Sequence, residues 1–237
     1  MIKIAHLYYD LLNLYGEQGN ILALKNAFKN QNVEVSVDLY SVGDEVDFKN
    51  YDIVYIGSGS LESLKIAAKD IKRFARKIKN YIESDKYLIA TGSSYLLFGK
   101  SITYDNGEVI PGLNIFDYYA KKANKRIVCH SFVKMKEENN PVIGFQNRAF
   151  LVQNNDNHLF SVLGGSADNE KSSFEGFNYK HFYGTHLIGP LLIRNPFLTD
   201  KFIKDILDKK GLKFHEDNVT PAYKAYNEYL KNFYEEP

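Results

Sequence analysis

The residues best placed for chemistry lie in Tyr87-Leu88-Ile89-Ala90-Thr91-Gly92-Ser93-Ser94-Tyr95-Leu96-Leu97-Phe98-Gly99. The run reads as a short buried strand, a turn of small residues and the first turns of a helix. In α/β enzymes such a turn, at the carboxyl end of a central strand, holds a nucleophile. The tip here is Gly92, which has no side chain to attack with. Ser93 beside it would need a base such as His186 to act as a nucleophile. Both Ser93 and Ser94 lie off the tip, so we read them as caps of the following helix. Cys129 is the only thiol. It lies in Arg126-Ile127-Val128-Cys129-His130-Ser131, where adjacent Cys and His face opposite sides of a strand, and it reads as a buried core residue.

Other short motifs carry less. Gly57-Ser58-Gly59 follows a β-prone run, and its backbone N–H groups suit either an anion-binding nest or a plain strand-to-helix turn. Gly99-Lys100-Ser101 has the ending of a phosphate loop, but the glycine required five residues earlier is Ser94. His181 and His186 stand without Cys or carboxylate at ligand spacing, so no metal site is expected. Glu17, in a glycine-containing loop, reads as a solvated carboxylate more than as a pocket residue.

The elements that must position these residues alternate. Strands are expected at 2–9, 33–40, 51–56 and 87–91. Helices are expected from Asn20, as a cap, to about Gln31, and from Leu61 to Ser84 with Ile66, Ala67, Ile71, Phe74, Ile78 and Ile82 as the apolar stripe. The lysines and arginines of that second helix read as a solvated face. Alternating strands and helices argue for a parallel sheet covered on both faces. After Gly99 the pattern becomes short β-prone runs at 126–136, 141–145, 149–153, 158–163 and 174–179, separated by Gly, Asn and Asp, which suggests an antiparallel continuation of the same sheet. Two helices close the chain: one capped by Thr199 and stopped by Gly211, and one from Thr220 with Ala222, Tyr226, Leu230 and Phe233 along one side.

The whole is expected to be one domain, 1–237, with a helical extension at 215–237. Of its 237 residues 44% are hydrophobic, enough for a large core, and the net charge of +1 gives no global case for nucleic acid or an anionic membrane. No apolar run is long enough to insert in a membrane, the N-terminal residues read as strand and not as a signal peptide, and one cysteine fits a reducing cytoplasm.

Taken in order, Asn13-Leu14-Tyr15-Gly16-Glu17-Gln18-Gly19-Asn20, Gly57-Ser58-Gly59-Ser60, the turn at Gly92, Gly144-Phe145-Gln146-Asn147 and Gly184-Thr185-His186-Leu187-Ile188-Gly189-Pro190 resemble the class I glutamine amidotransferases of the cobyric acid synthase (CobB/CobQ) branch. The resemblance is collinear from Ile4 to about Gly211. It implies a flavodoxin-like α/β fold: a mostly parallel central sheet flanked by helices, with an antiparallel extension. The family hydrolyses glutamine with a Cys in a Cys-Gly-Gly-Tyr-Gln-Leu-Leu-Gly elbow and a His in a Gly-Thr-Tyr-Leu-His-Gly-Pro motif. Here the nucleophile position falls on Gly92 and the base position on Ile188, with His186 two places earlier on what reads as the same strand.

Gly and Ile can neither attack nor accept a proton. Glycine also relieves the backbone strain an elbow nucleophile holds. The resemblance therefore implies a chain without glutaminase activity and without a cofactor. It would serve as partner or regulator of the Mur-ligase-like subunit with which relatives act in cell-wall peptidoglycan metabolism. Its old pocket could keep a small amino-acid-like ligand, with Gly57, Ser58, Gly59, Ser93, Arg126 (or Lys125, one register away), Gln146 and Asn147 as the contacts. Phe150, where relatives have Gly, would narrow that cavity. Two alternatives are an active amidase or hydrolase using Ser93 with His186, and a stand-alone small-molecule sensor.

Overall fold

Residues 1–234 are described by the computed structural model, so the last three residues of the expected extension lie outside it. In chain order the first half is β1 (Ile2–Leu7), α1 (Gln18–Asn30), β2 (Val35–Tyr40), β3 (Ile53–Ile56), α2 (Leu61–Ile71), α3 (Ala75–Glu83) and β4 (Tyr87–Thr91). Then come β5 (Ser101–Thr103), β6 (Val109–Pro111), β7 (Tyr119–Lys134), β8 (Val142–Gln153), β9 (His158–Gly164), β10 (Phe174–Tyr179) and β11 (Phe182–Thr185). The chain ends in α4 (Leu191–Arg194), α5 (Pro196–Lys209) and α6 (Pro221–Phe233).

One sheet runs β2-β1-β3-β4-β11-β10-β9-β7-β5-β6, with β8 paired to β7. The stretch β2-β1-β3-β4-β11 is parallel; β11-β10-β9-β7-β8 is antiparallel. Every residue of β3 and β4 is buried, as expected where both faces are covered. Alternate residues feed opposite cores. Val54, Ile56, Leu88 and Ala90 pack under α2 and α3, whereas Ile53, Tyr55, Tyr87 and Ile89 pack with α1 and α5. The strand order reverses about β1, so the loops after β1 and β3 flank the crevice at the carboxyl ends of the strands, where open α/β sheets bind ligands.

Several boundaries differ from the sequence reading, each for a local reason. The segment 61–84 is two helices broken by a tighter turn at Lys72–Phe74, and this re-aims the stripe so that Ala67, Ile71, Phe74, Ile78 and Ile82 share one core. Ile66 falls off it and is 47% exposed. The runs at 141–145 and 149–153 are one strand, because pairing with β7 continues through Gly144 to Asn147.

Asn20 does not cap α1. The N-cap position is Glu17, which makes no side-chain cap bond; the first helical N–H, on Gln18, donates to Asn13 Oδ1 at 3.0 Å. Asn20 is buried inside α1 and its Oδ1 accepts from Leu192 N at 2.7 Å, so it serves the first turn of α4 instead. Thr199 lies inside α5, which starts three residues earlier at Pro196; its hydroxyl donates to Leu192 O at 2.8 Å. Thr220 does cap α6, but on that helix Tyr226 is the buried anchor while Phe233 is exposed. Among the described residues no helix is long and apolar enough to cross a membrane.

Candidate active site

The parallel strand β4 ends at Thr91, and the next residue, Gly92, has φ +63°. This left-handed conformation would cost a side-chain-bearing residue on the order of 1–3 kcal/mol. The chain then coils through 3₁₀ turns from Gly92 to Phe98. Ser93 and Ser94 do not cap these turns. Ser94 Oγ donates to Ile56 O at 3.1 Å and Thr91 O at 3.0 Å, tying the turn to the end of β3. Ser93 Oγ lies 3.5 Å from Ser58 Oγ and donates to Gly59 O at 3.4 Å.

A pocket of about 170 Å³ opens at this turn. Its floor is Ser58, Gly59, Gly92 and Ser93, and its walls include Arg126, Asn147, Arg148, Phe150 and His186. Leu14 and Tyr15 stand at one side, held by the Leu14 N–H donating to Ser58 O at 2.9 Å. A larger, shallower groove of about 930 Å³ runs along β7, β8 and the loop before β10. It lacks the buried polar groups that converge on the smaller pocket.

Three residues meet at the tip. A Cβ placed on Gly92 would overlap Ser58 Oγ and Cβ and come within 2.9 Å of Ile188 Cγ2. Ile188 is held there because its N–H donates to Phe145 O at 2.9 Å, bringing the segment after β11 against β8. The two motif positions singled out in the sequence therefore face each other, and Ser58 fills the space between them.

Beneath the turn lies Glu17, fully buried and not solvated as the sequence suggested. Its Oε2 accepts from Thr91 Oγ1 at 2.6 Å, from Asn20 Nδ2 at 3.2 Å and from the Tyr55 hydroxyl. Burial raises its pKa to about 7 against the opposing pull of these three donors. Gly57 permits the approach, since a Cβ there would come within 2.8 Å of Glu17 Cγ.

A second buried cluster holds His186. β11 ends at Thr185, so His186 and Ile188 do not share a strand face as expected. The His186 ring turns its Nδ1 to Glu175 Oε1 (3.5 Å), Asp168 Oδ1 (4.0 Å) and the Tyr95 hydroxyl (3.4 Å). Its Nε2 has no partner. Burial, then Arg148, hold the ring well below the usual imidazole range, so it is neutral. The Ser93 hydroxyl makes no hydrogen bond to it among the described residues.

Asp168, Glu175 and His186 have ligand-type atoms within 4.8 Å of one another. Protein donors already serve the carboxylates: Asn155, Gly176 and Tyr95 on Asp168, and Thr185 with the His186 N–H on Glu175. That saturation suits a hydrogen-bonded structural cluster better than a metal centre.

Of the residues expected to line the pocket, Ser58, Gly59, Ser93, Arg126 and Asn147 do so, and the Arg126 guanidinium bonds Asn147 Oδ1 at 2.5 Å. Lys125 lines the larger groove instead. Gly57 sits behind the pocket on Glu17. Gln146 is buried with its amide on Ser131 Oγ, Ser166 O and Arg148 Nε, so the structure does not bring its side chain to the pocket. Cys129 is half-buried, not core, because only β8 covers that stretch of β7; β9 joins at Phe132. The sequence reading missed Asp168 and Glu175. A lone acid within the aromatic run of β10, Phe174-Glu175-Gly176-Phe177, was the available signal.

A parallel α/β sheet with a tight left-handed turn after its central strand, faced by the loop after β3 and the segment after β11, is the frame of the class I glutamine amidotransferases. The chain belongs to the CobB/CobQ-like glutamine amidotransferase domain family, which matches residues 3–196. It is 32% identical over 226 residues to the Lipid II isoglutaminyl synthase (glutamine-hydrolyzing) subunit GatD of Streptococcus pneumoniae, covering 94% of this chain and 85% of that one. To the subunit of the same name from Staphylococcus aureus it is 28% identical over 218 residues, covering 92% and 89%. A glutamine amidotransferase from Thermotoga maritima shares the fold, with TM-score 0.54 at 14% identity over 98% of this chain and 92% of that one.

Proposed function

We propose that the chain is a GatD-like protein that does not hydrolyse glutamine and that serves as partner or regulator of a Mur-ligase-like amidating enzyme in cell-wall peptidoglycan metabolism. One observation carries the reading: at the turn after β4, Gly92 and Ile188 face each other with Ser58 filling the space between them. Thiolate attack on a carboxamide needs a cysteine and a base to take its proton. Neither position supplies one, and the room for a side chain on residue 92 is taken. The names of the relatives, subunits of Lipid II isoglutaminyl synthase, support the cell-wall setting and a role within an assembly. What persists is a small pocket with a guanidinium at its rim, suited to a small amino-acid-like ligand.

The test is ammonia release from L-glutamine by the purified chain, alone and mixed with a Mur-ligase-like protein. No release above buffer is expected; turnover on the order of 1 s⁻¹ or faster, typical of working enzymes, overturns the reading. Co-purification with the ligase supports the partner role, and pocket binding without it favours a stand-alone sensor. One observation favours a hydrolase built on Ser93 and His186: the unpartnered Nε2 of His186 in a residue that lines the pocket. The Ser93 hydroxyl is engaged with Ser58 and Gly59 instead, which makes this the weaker reading. Hydrolysis that disappears in Ser93→Ala would establish it.

A further inference from the structure

In a nucleophile elbow the backbone N–H of the residue after the tip is one of the donors that hold the reacting oxygen of a substrate. Here that group is the N–H of Ser93, and it donates to Ser58 Oγ at 3.3 Å. Ser58 is 4% exposed. Its carbonyl accepts from Leu14 N at 2.9 Å, so the loops after β1 and β3 hold it in place. Its hydroxyl also lies 3.5 Å from Ser93 Oγ. The β-carbon and hydroxyl of Ser58 together fill the volume above the Gly92 Cα. The neighbouring N–H groups of Ser58 and Gly59 donate to no protein acceptor among the described residues, so the cradle itself is intact and only its donor on the turn is taken.

We propose that Ser58 is a specificity-determining residue that occupies this pocket from within. Its hydroxyl takes the hydrogen bond that the carboxamide or carboxylate oxygen of a ligand would otherwise accept from Ser93. The pocket thereby competes with such an oxygen for the turn, and a small amino-acid-like ligand is held mainly by its other end, toward Arg126. The proposal deepens the non-hydrolysing reading and rests on it. A reacting oxygen would have to displace Ser58 Oγ from the Ser93 N–H before the turn could hold it.

Two measurements on the full chain test it, with L-glutamine as the probe. The first is hydrogen exchange of the Ser93 amide by NMR in the wild type and in Ser58→Ala, which removes the hydroxyl while leaving the loop its β-carbon. Exchange is expected to accelerate roughly tenfold or more on loss of the acceptor. The second is calorimetric titration of the wild type, Ser58→Ala and Ser58→Gly. The variants are expected to bind L-glutamine roughly tenfold tighter, about what one freed neutral hydrogen bond supplies. Unchanged Ser93 exchange in a folded Ser58→Ala protein, or equal affinity in all three folded proteins, overturns the proposal. Ammonia release by the wild type would overturn the non-hydrolysing reading without altering Ser93 exchange, so the two failures are distinct.

Discussion

Glu17, beneath the turn after β4, and the Asp168–Glu175 pair, beside His186, are buried to the same degree and solve the problem of a buried acid differently. Glu17 has only neutral partners, Thr91, Asn20 and Tyr55, and its Oε1 has none. Its pKa rises to about 7 through burial, so it can shed its charge near neutrality. The pair goes further in the same direction, with Glu175 pushed up to about 8 and Asp168 to about 6. Burial raises both groups, and Asp168 raises Glu175 further. Arg148 offsets part of this while its guanidinium also serves Gln146 Oε1, Ser166 Oγ and the carbonyls of Phe150, Ala167 and Asp168. A lone buried acid goes neutral near pH 7; of two close together, each raises the other's cost of charge, so Glu175 keeps its proton while a nearby buried guanidinium offsets the charge left on Asp168. The first network belongs to the parallel half of the sheet and holds the turn. The second belongs to the antiparallel half and holds His186.

The sharpest way to break this comparison is Arg148→Met. It removes the buried guanidinium that offsets the pair's charge and leaves the buried oxygens it serves on Gln146, Phe150, Ser166, Ala167 and Asp168 without that donor, and we expect a loss of about 3–5 kcal/mol in urea unfolding at neutral pH. A loss below 1 kcal/mol would mean that the pair is not held by charge. Next in size is Gly92→Ala, between the two networks, expected to cost about 2–4 kcal/mol through the left-handed backbone and overlap with Ser58. Adding Ser58→Gly should recover part of that loss, whereas strict additivity would show that the two side chains do not compete for one space.

Glu17→Gln probes the other network through pH. Folded Glu17 holds its proton more tightly than the unfolded chain does. Its contribution is therefore fully present below about pH 4.5 and is lost as pH rises through about 7, by roughly 3 kcal/mol at most. The wild-type urea midpoint should fall over that window, and the fall should flatten in Glu17→Gln. An identical slope in both proteins would place the titration elsewhere. The smallest effect is expected from Tyr95→Phe, about 1 kcal/mol, because it removes one hydroxyl donor from Asp168 among several.

The parallel half was largely legible in the sequence. Apolar runs such as Tyr87 to Thr91 are buried on both faces and announce themselves without alternation. The turn at Gly92 was legible for the same reason: small residues between a strand and a helix restrict the backbone locally. Arg126, Asn147, Ser58 and Ser93 were placed at one pocket through motif order. Helix starts were misread at Asn20 and Thr199, whose side chains both serve the backbone of Leu192 and not their own first turns. The same mechanism explains Glu17: nothing local tells a loop carboxylate that Tyr55 and Thr91 will fold over it.

The sequence by itself determined the α/β frame and placed glycine at residue 92, after the fourth strand, and isoleucine at residue 188. Covalent structure and local backbone preference suffice for those statements. Only the tertiary structure decided that Gly92, Ile188 and Ser58 share one small volume, that Ser58 bonds the Ser93 N–H, and that His186 is held by a buried acid pair away from the serine. These depend on contacts between β3, β4, β8 and β11 across tens of residues. Such contacts are fixed by packing and hydrogen-bond satisfaction in the folded core, which no short window of sequence contains.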